Sequence, residues 1–223
     1  MEREGVVVMD PQHHLPADVL MEYAAGTAAA TTSLLVACHI TLCALCRAEV
    51  QRLEEVGARL LEQQPEASLP TDALARLLAR IDSEPVVPSP APAPSVDARL
   101  PRPLQEVLPG GRFKLARWLP GMKGITLRLA EAPLPPARLV LFGPNVCIPS
   151  HDHEAPEYLL VLDGEVVDSN KVYRRGDVSV SETGHVHEQR ISQRGPCLCL
   201  IVNEGGIRPK TLWGQLLKRI AGL

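Results

Sequence analysis

Between Ser83 and Pro103 the chain reads SEPVVPSPAPAPSVDARLPRP, and seven of these 21 residues are proline. Proline has no amide hydrogen to give a helix or a sheet ladder, and its ring fixes φ near −65°. Neither a helix nor a central strand crosses such a stretch. Its composition is that of an extended, semi-rigid polyproline II spacer. The 223 residues therefore divide into a first part, 1–82, a linker, 83–103, and a second part, 104–223.

The charge divides at the same place. Residues 1–83 carry 12 Asp and Glu against 6 Arg and no Lys, a net charge of −6. The remainder is net +3, and the first lysine is Lys114. Binding DNA or RNA requires clustered Lys and Arg against the phosphates. An acidic, lysine-free front part instead fits a basic protein partner.

Within that front part lies His39-Ile-Thr-Leu-Cys43-Ala-Leu-Cys46. Steps of four and three residues return to nearly one helix face. Thiolate and imidazole are the donors of a closed tetrahedral zinc site, which needs four. The other histidines before residue 150 are His13 and His14, just ahead of a Pro-Ala-Asp helix start; our choice for the fourth ligand is His14. Cys and His on a buried helix face are also ordinary core residues, and Cys38 next door reads that way.

Helical periodicity covers the rest of this part. A helix starts at Pro16 and ends at Gly26. A second is capped by Thr31-Thr32-Ser33, and a third runs from Cys43 to about Gln63. A fourth is capped by Thr71-Asp72 and carries Leu74, Leu77, Leu78 and Ile81 at i, i+3, i+4 and i+7. A kink at Thr41 would ease the convergence of four ligands. Residues 1–13 read as loosely ordered. The core of so small a bundle is slight, and a zinc ion is the kind of staple it needs.

From Arg112 the pattern changes to short β-type runs: Phe113–Leu119, Ile125–Leu129, Arg138–Phe142, Tyr158–Leu162, Val178–Val180, His185–Ile191 and Leu198–Val202. Turn signals such as Pro120-Gly121, Asp163-Gly164 and Gly176-Asp177 separate them. This is an all-β sandwich or barrel, so the chain as a whole is α+β in two domains. Leu212–Leu223 reads as a short amphipathic helix packed back on the barrel. Inside the β part, His151 and His153 alternate on a strand and point the same way. Glu157 follows, and either His185 or His187 can complete the set. Three imidazoles and a carboxylate suit Zn2+ or another divalent transition metal with open positions.

The chain begins without a charged, then apolar, leader, and no apolar run approaches the ~18–20 residues of a membrane span. A reducing cytoplasm is therefore expected, where Cys38, Cys43, Cys46, Cys147, Cys197 and Cys199 serve metal or redox chemistry and not disulfides.

These motifs carry a resemblance. His151, His153, Glu157 and Gly164 match the first cupin motif with its spacing intact. Gly176, Gly184 and His187 match the second, with Glu182 in place of its Pro and Ile191 in place of its Asn. The resemblance implies a cupin barrel with His151, His153, Glu157 and His187 as metal ligands. The front part resembles the zinc-binding anti-sigma domain, whose mark of a distant His followed by HxxxCxxC is met by His14, His39, Cys43 and Cys46. Both modules in this order resemble ChrR-type anti-sigma factors. That implies a cytoplasmic regulator without enzymatic activity. Residues 1–82 would hold an extracytoplasmic-function sigma factor in a 1:1 heterodimer, and the cupin part would sense singlet oxygen or related reactive oxygen species. Direct contact with nucleic acid or membrane is not expected. A metal-dependent cupin enzyme, a dioxygenase or isomerase with a helical accessory, is the competing reading. Because the linker is too extended to transmit a twist, sensing is expected to act through direct contact between the two parts or through an exposed segment.

Overall fold

The structure, a computed structural model, describes residues 10–83, 97–108, 115–127, 129, 137–205 and 207–210. The helix expected over 212–223 and most of the proline-rich linker lie outside the described residues. Five helices are present among the described residues: α1 (Ala17–Ala24), α2 (Ala30–Leu42), α3 (Ala44–Glu62), α4 (Ala73–Ser83) and α5 (Arg102–Val107).

Helix α1 begins behind Pro16, whose fixed φ suits a helix entry, and is closed by Gly26 at φ 71°. Helix α2 begins one residue before the expected Thr cap, with Ala29 at the cap position. Thr31 and Thr32 are instead buried in its first turn, and the Thr32 hydroxyl donates to Glu204 Oε1 at 2.6 Å. The break after α2 comes at Cys43, two residues beyond Thr41. Cys43 is extended (φ −115°, ψ 109°), and α2 and α3 meet at 119°. Its sulfur then accepts from the Cys46 amide at 3.4 Å, taking the place of the usual oxygen cap. No single described helix is long and apolar enough to cross a membrane.

The strands are β1 (Ala116–Leu119), β2 (Met122–Leu127), β3 (Ala137–Phe142), β4 (Cys147–His153), β5 (Glu157–Asp163), β6 (Val166–Asp168), β7 (Lys171–Tyr173), β8 (Val178–Ser181), β9 (His187–Ile191), β10 (Cys197–Asn203) and β11 (Ile207–Pro209). They form two antiparallel sheets, β1-β2-β3-β10-β5-β8 and β11-β4-β9-β6-β7. The seven expected runs all meet a strand. The β6–β7 hairpin was not among them; it turns on Ser169 and Asn170, both at positive φ, as a two-residue hairpin loop requires.

Strands β5 (EYLLVLD) and β10 (CLCLIVN) lack the apolar–polar alternation of a half-exposed strand, because both of their faces are buried. Leu159, Val161, Cys197 and Cys199 face Val140, Phe142, Val166 and Ile191 inside the sandwich. Tyr158, Leu160, Leu162, Leu198, Leu200 and Val202 face outward and are covered by Leu34, Leu35, Val36 and Leu104 of α2 and α5. Helices α1, α2, α3 and α5 therefore share one core with the outer face of this sheet. Leu100, Leu104 and Leu108 are all buried in it, so from Asp97 onward the chain that follows the prolines is packed, and Arg175 of the barrel donates to the Arg99 carbonyl at 2.9 Å.

Helix α4 differs from the other helices in burying no residue. Its apolar stripe of Leu74, Leu77, Leu78 and Ile81, legible in the sequence as a core face, is at least half exposed at every position.

Leu104 is wholly buried between α2 and the sheet. Leu104→Ala is expected to cost about 2–5 kcal/mol, measured by urea denaturation of the full chain.

Candidate metal centres

The first cluster sits where α1, the α2–α3 break and the barrel meet. His14, His39, Cys43 and Cys46 bring one donor atom each to within 4.8 Å of one another. His14 Nδ1 lies 3.3 Å from Cys43 Sγ and 3.7 Å from Cys46 Sγ. Zinc–ligand bonds of about 2.0–2.3 Å give tetrahedral edges of roughly 3.3–3.8 Å, so these separations suit the ion. The extended backbone at Cys43 is what turns its sulfur toward Cys46 while leaving His39 one turn back on α2. His39 is fully buried and His14 is the exposed member.

Two further observations test the fit. The His39 Nδ1–H donates to the Gly176 carbonyl at 2.9 Å, while its buried Nε2 has no partner. That fixes the tautomer and leaves a bare lone pair, the arrangement of a metal-ligating imidazole. Burial pulls His39 down to about 4, so the ring stays neutral. Burial, then the neighbouring Cys43, pushes the Cys46 thiol up to about 11. Two thiolates in this place require a cation beside them.

His13 turns elsewhere. Its ring stacks on Tyr173 at 4.4 Å and its Nδ1 lies 3.6 Å from Asp177. The segment expected to be loose is tied down at residues 12 and 13. The Asp177 carboxylate accepts from the Gln12 amide at 2.6 Å and the His13 amide at 2.9 Å, and the Val178 amide donates to the His13 carbonyl at 3.1 Å. Asp177 also accepts from the Arg174 amide at 2.7 Å. The β7–β8 turn of the barrel therefore holds two of the four cluster residues, His39 through the Gly176 carbonyl and His14 through its neighbour His13. Gly176 has φ 91°, and a Cβ there would stand 2.7 Å from Pro11, so only glycine fits.

The second cluster is inside the barrel. His151 and His153 on β4, Glu157 at the start of β5 and His187 at the start of β9 again bring donor atoms within 4.8 Å. His151 and His187 face each other across the β4–β9 ladder. His151 Nδ1 is held by the Pro149 carbonyl at 2.8 Å and His187 Nδ1 by Asp168 Oδ2 at 2.8 Å. Both therefore turn Nε2 inward as acceptors. His153 Nε2 lies 2.8 Å from His187 Nε2, and its Nδ1 makes no hydrogen bond and lies 3.8 Å from Glu157 Oε2. Glu157 Oε2 accepts from Asn203 at 3.2 Å. Inward lone pairs plus one carboxylate fit a divalent transition metal. His185 is exposed, its ring 5.6 Å from that of His187.

Asp168, behind His187, is the residue of this cluster that the sequence reading missed. Burial acts to raise its pKa, but hydrogen bonds from His187, Gln189 and Ser169 hold it down near 2. It orients His187 as a carboxylate behind a ligating imidazole does. Its signal was the unrecognised Asp168-Ser-Asn hairpin. Of the remaining candidates, Glu154 pairs with Arg208 at 3.0 Å on the exposed surface, Cys147 is exposed, and the Cys197 and Cys199 sulfurs lie 3.5 Å apart in the core.

Residues 111–206 match the family described as the ChrR cupin-like domain. The anti-sigma-E factor ChrR of Cereibacter sphaeroides is 32% identical over 216 residues, which span 94% of this chain and 98% of that protein. The crystal structure of Rhodobacter sphaeroides SigE in complex with the anti-sigma ChrR aligns with a TM-score of 0.75 at 27% identity, covering 86% of this chain and 99% of that one.

Asp177 accepts three backbone amides, those of Gln12, His13 and Arg174, that no other group serves among the described residues. Asp177→Ala is expected to destabilise the chain by about 2–4 kcal/mol and to speed amide exchange at Gln12 and His13, read by hydrogen–deuterium exchange.

Proposed function

The chain belongs to the family of ChrR-type anti-sigma factors, and from that membership we propose that its helical part holds an extracytoplasmic-function sigma factor in a 1:1 complex and denies it to RNA polymerase. The observation that carries this is α4. A helix whose whole apolar stripe is exposed is a surface made for another chain, and Val56, Leu60 and Leu61 of α3 are exposed as well. Residues 54–82 carry six Asp and Glu against three Arg, a net negative balance that suits a basic partner. The ChrR of the solved complex is bound to SigE.

In this reading His14, His39, Cys43 and Cys46 hold a structural zinc whose closed shell fixes the angle between α2 and α3. His151, His153, Glu157 and His187 hold Zn2+ or another divalent transition metal, which would supply a Lewis-acidic, oxidant-reactive centre when bound. The protein acts as a cytoplasmic, non-enzymatic regulator without direct contact to nucleic acid. Singlet oxygen or related reactive oxygen species are sensed in the barrel, and the sigma factor is then released. The division proposed is 1–82 for binding, 83–103 as linker and 104–223 for sensing.

Leu77→Glu with Ile81→Glu should weaken binding to the cognate sigma factor at least ~100-fold, since each removes an anchor worth about 2 kcal/mol or more. Circular dichroism should be unchanged, because α4 buries nothing in the free chain. The check is calorimetric titration of the sigma factor.

His151→Ala with Glu157→Ala should leave sigma inhibition intact and abolish induction by singlet oxygen in cells. Elemental analysis of the same variant should find the front zinc kept and the barrel metal lost. Normal induction would move the sensor to Cys43 and Cys46.

A further inference from the structure

A cavity of about 90 Å³ opens beside the barrel cluster, with His151 and Glu157 in its wall. Its apolar side is Trp118, Met122, Val140 and Phe142. The indole of Trp118 lies flat over Gly124, where a Cβ would come within 2.7–2.8 Å of the ring. Gly124 thus keeps the large aromatic wall in place.

The same cavity is lined by Arg138. Arg138 lies on β3 between Ala137 and Leu139, which face the helices, and shares the inward face with Val140 and Phe142. Strand alternation thus places a guanidinium inside the barrel. Glu157 is close enough to act on it electrostatically, but Arg138 makes no hydrogen bond or ion pair with any described residue. The other polar residues of the wall are engaged. Gln189 donates to Asp168 and Asn203 donates to Glu157, while His151 is held by the Pro149 carbonyl. A charge on the inside of an apolar barrel carries a desolvation cost that only a counter-charge offsets.

We propose that this cavity is a binding site for a small monocarboxylic acid, its carboxylate paired with Arg138 and its short apolar tail against Trp118, Met122 and Phe142. The planar fork of arginine matches a carboxylate in two parallel hydrogen bonds. At about 90 Å³ the cavity is smaller than the dry one of about 150 Å³ that takes benzene, so the ligand is limited to an acid with a tail of about two carbons. Phosphate, a more strongly hydrated anion with no apolar part, gains nothing from the wall. The charge count rests on the metal reading above: a divalent ion, one Glu157 carboxylate and one Arg138 leave the site net positive, and one carboxylate brings it closer to neutral.

The test is calorimetric titration of the full chain, zinc-loaded and with its metal content measured, using propanoate, propan-1-ol and inorganic phosphate. Propanoate should bind at least ~10-fold more tightly than propan-1-ol, and phosphate should not bind. Arg138→Met, which places an apolar chain on an apolar face and should fold at least as well, should weaken propanoate at least ~10-fold while keeping the wild-type metal content. Arg138→Lys should keep part of the affinity. Equal propanoate binding by wild type and Arg138→Met, or equal binding of propanoate and propan-1-ol, overturns the site. Zinc retained without propanoate binding overturns the site and leaves the metal reading standing. Arg138-dependent propanoate binding by a chain that takes up no barrel metal supports the site and removes the metal.

Discussion

The outer face of β5 and β10 has to be covered. Tyr158, Leu160, Leu162, Leu198, Leu200 and Val202 form an apolar surface on the far side of a strand pair whose near side already fills the barrel. Leaving such a surface in water would cost on the order of 1.5–3 kcal/mol per large side chain. Helix α2 covers it, and the consequences run through the molecule. A helix caught between a sheet and α3 is buried on most of its surface, which is why α2 is apolar nearly all round. Its C-terminal turn is thereby laid against the β7–β8 turn, and His39 meets the Gly176 carbonyl.

That meeting ties the two clusters to one segment of chain. Gly176, Asp177 and Val178 contact His39, Gln12 and His13, and the next residue, Ser179, donates to Asp168 Oδ2 at 3.3 Å. Asp168 in turn orients His187. From the barrel imidazole to the front imidazole there is thus an unbroken series of hydrogen bonds and one short strand. Helix α4 and its exposed stripe lie at the end of the helical unit, and beyond the proline-rich stretch the chain packs Leu100 and Leu104 into the core that α2 shares.

What the sequence made legible, and what it did not, follows from the range of the interactions. His39, Cys43 and Cys46 were readable because three donors fall within eight residues, and His151, His153 and Glu157 because strand alternation is local. The groups behind them were not. His39 and Gly176 are 137 residues apart, and Gln12 and Asp177 are 165 apart; no local pattern announces such a pair. Arg138 opens the run Arg138–Phe142, and nothing local marks it as inward, because which face points inward depends on the helices that cover the other one. The stripe on α4 had the right period for a core and no core to enter. Periodicity reports a face that will be buried, without saying by which chain. The break that the sequence left open between a kink and a continuous helix falls at Cys43, because a helix cannot both continue and turn its thiol into an N-cap for the next.

The two clusters also differ in how they meet the outside. Cys43 and Cys46 are 1% and 4% exposed, and the accessible member of their set is an imidazole, His14. The barrel set is equally buried but has a cavity opening on His151 and Glu157. A small molecule reaches donor atoms in the barrel, whereas at the front it meets a ring first. A change captured in the barrel alters the affinity of the helical part only if the β7–β8 turn sits differently in the partner-bound and free forms, since equal interaction with both shifts no population. The turn is suited to that requirement. It is held by a glycine at φ 91° and by one carboxylate serving three amides, and it contacts both His13 and His39 directly.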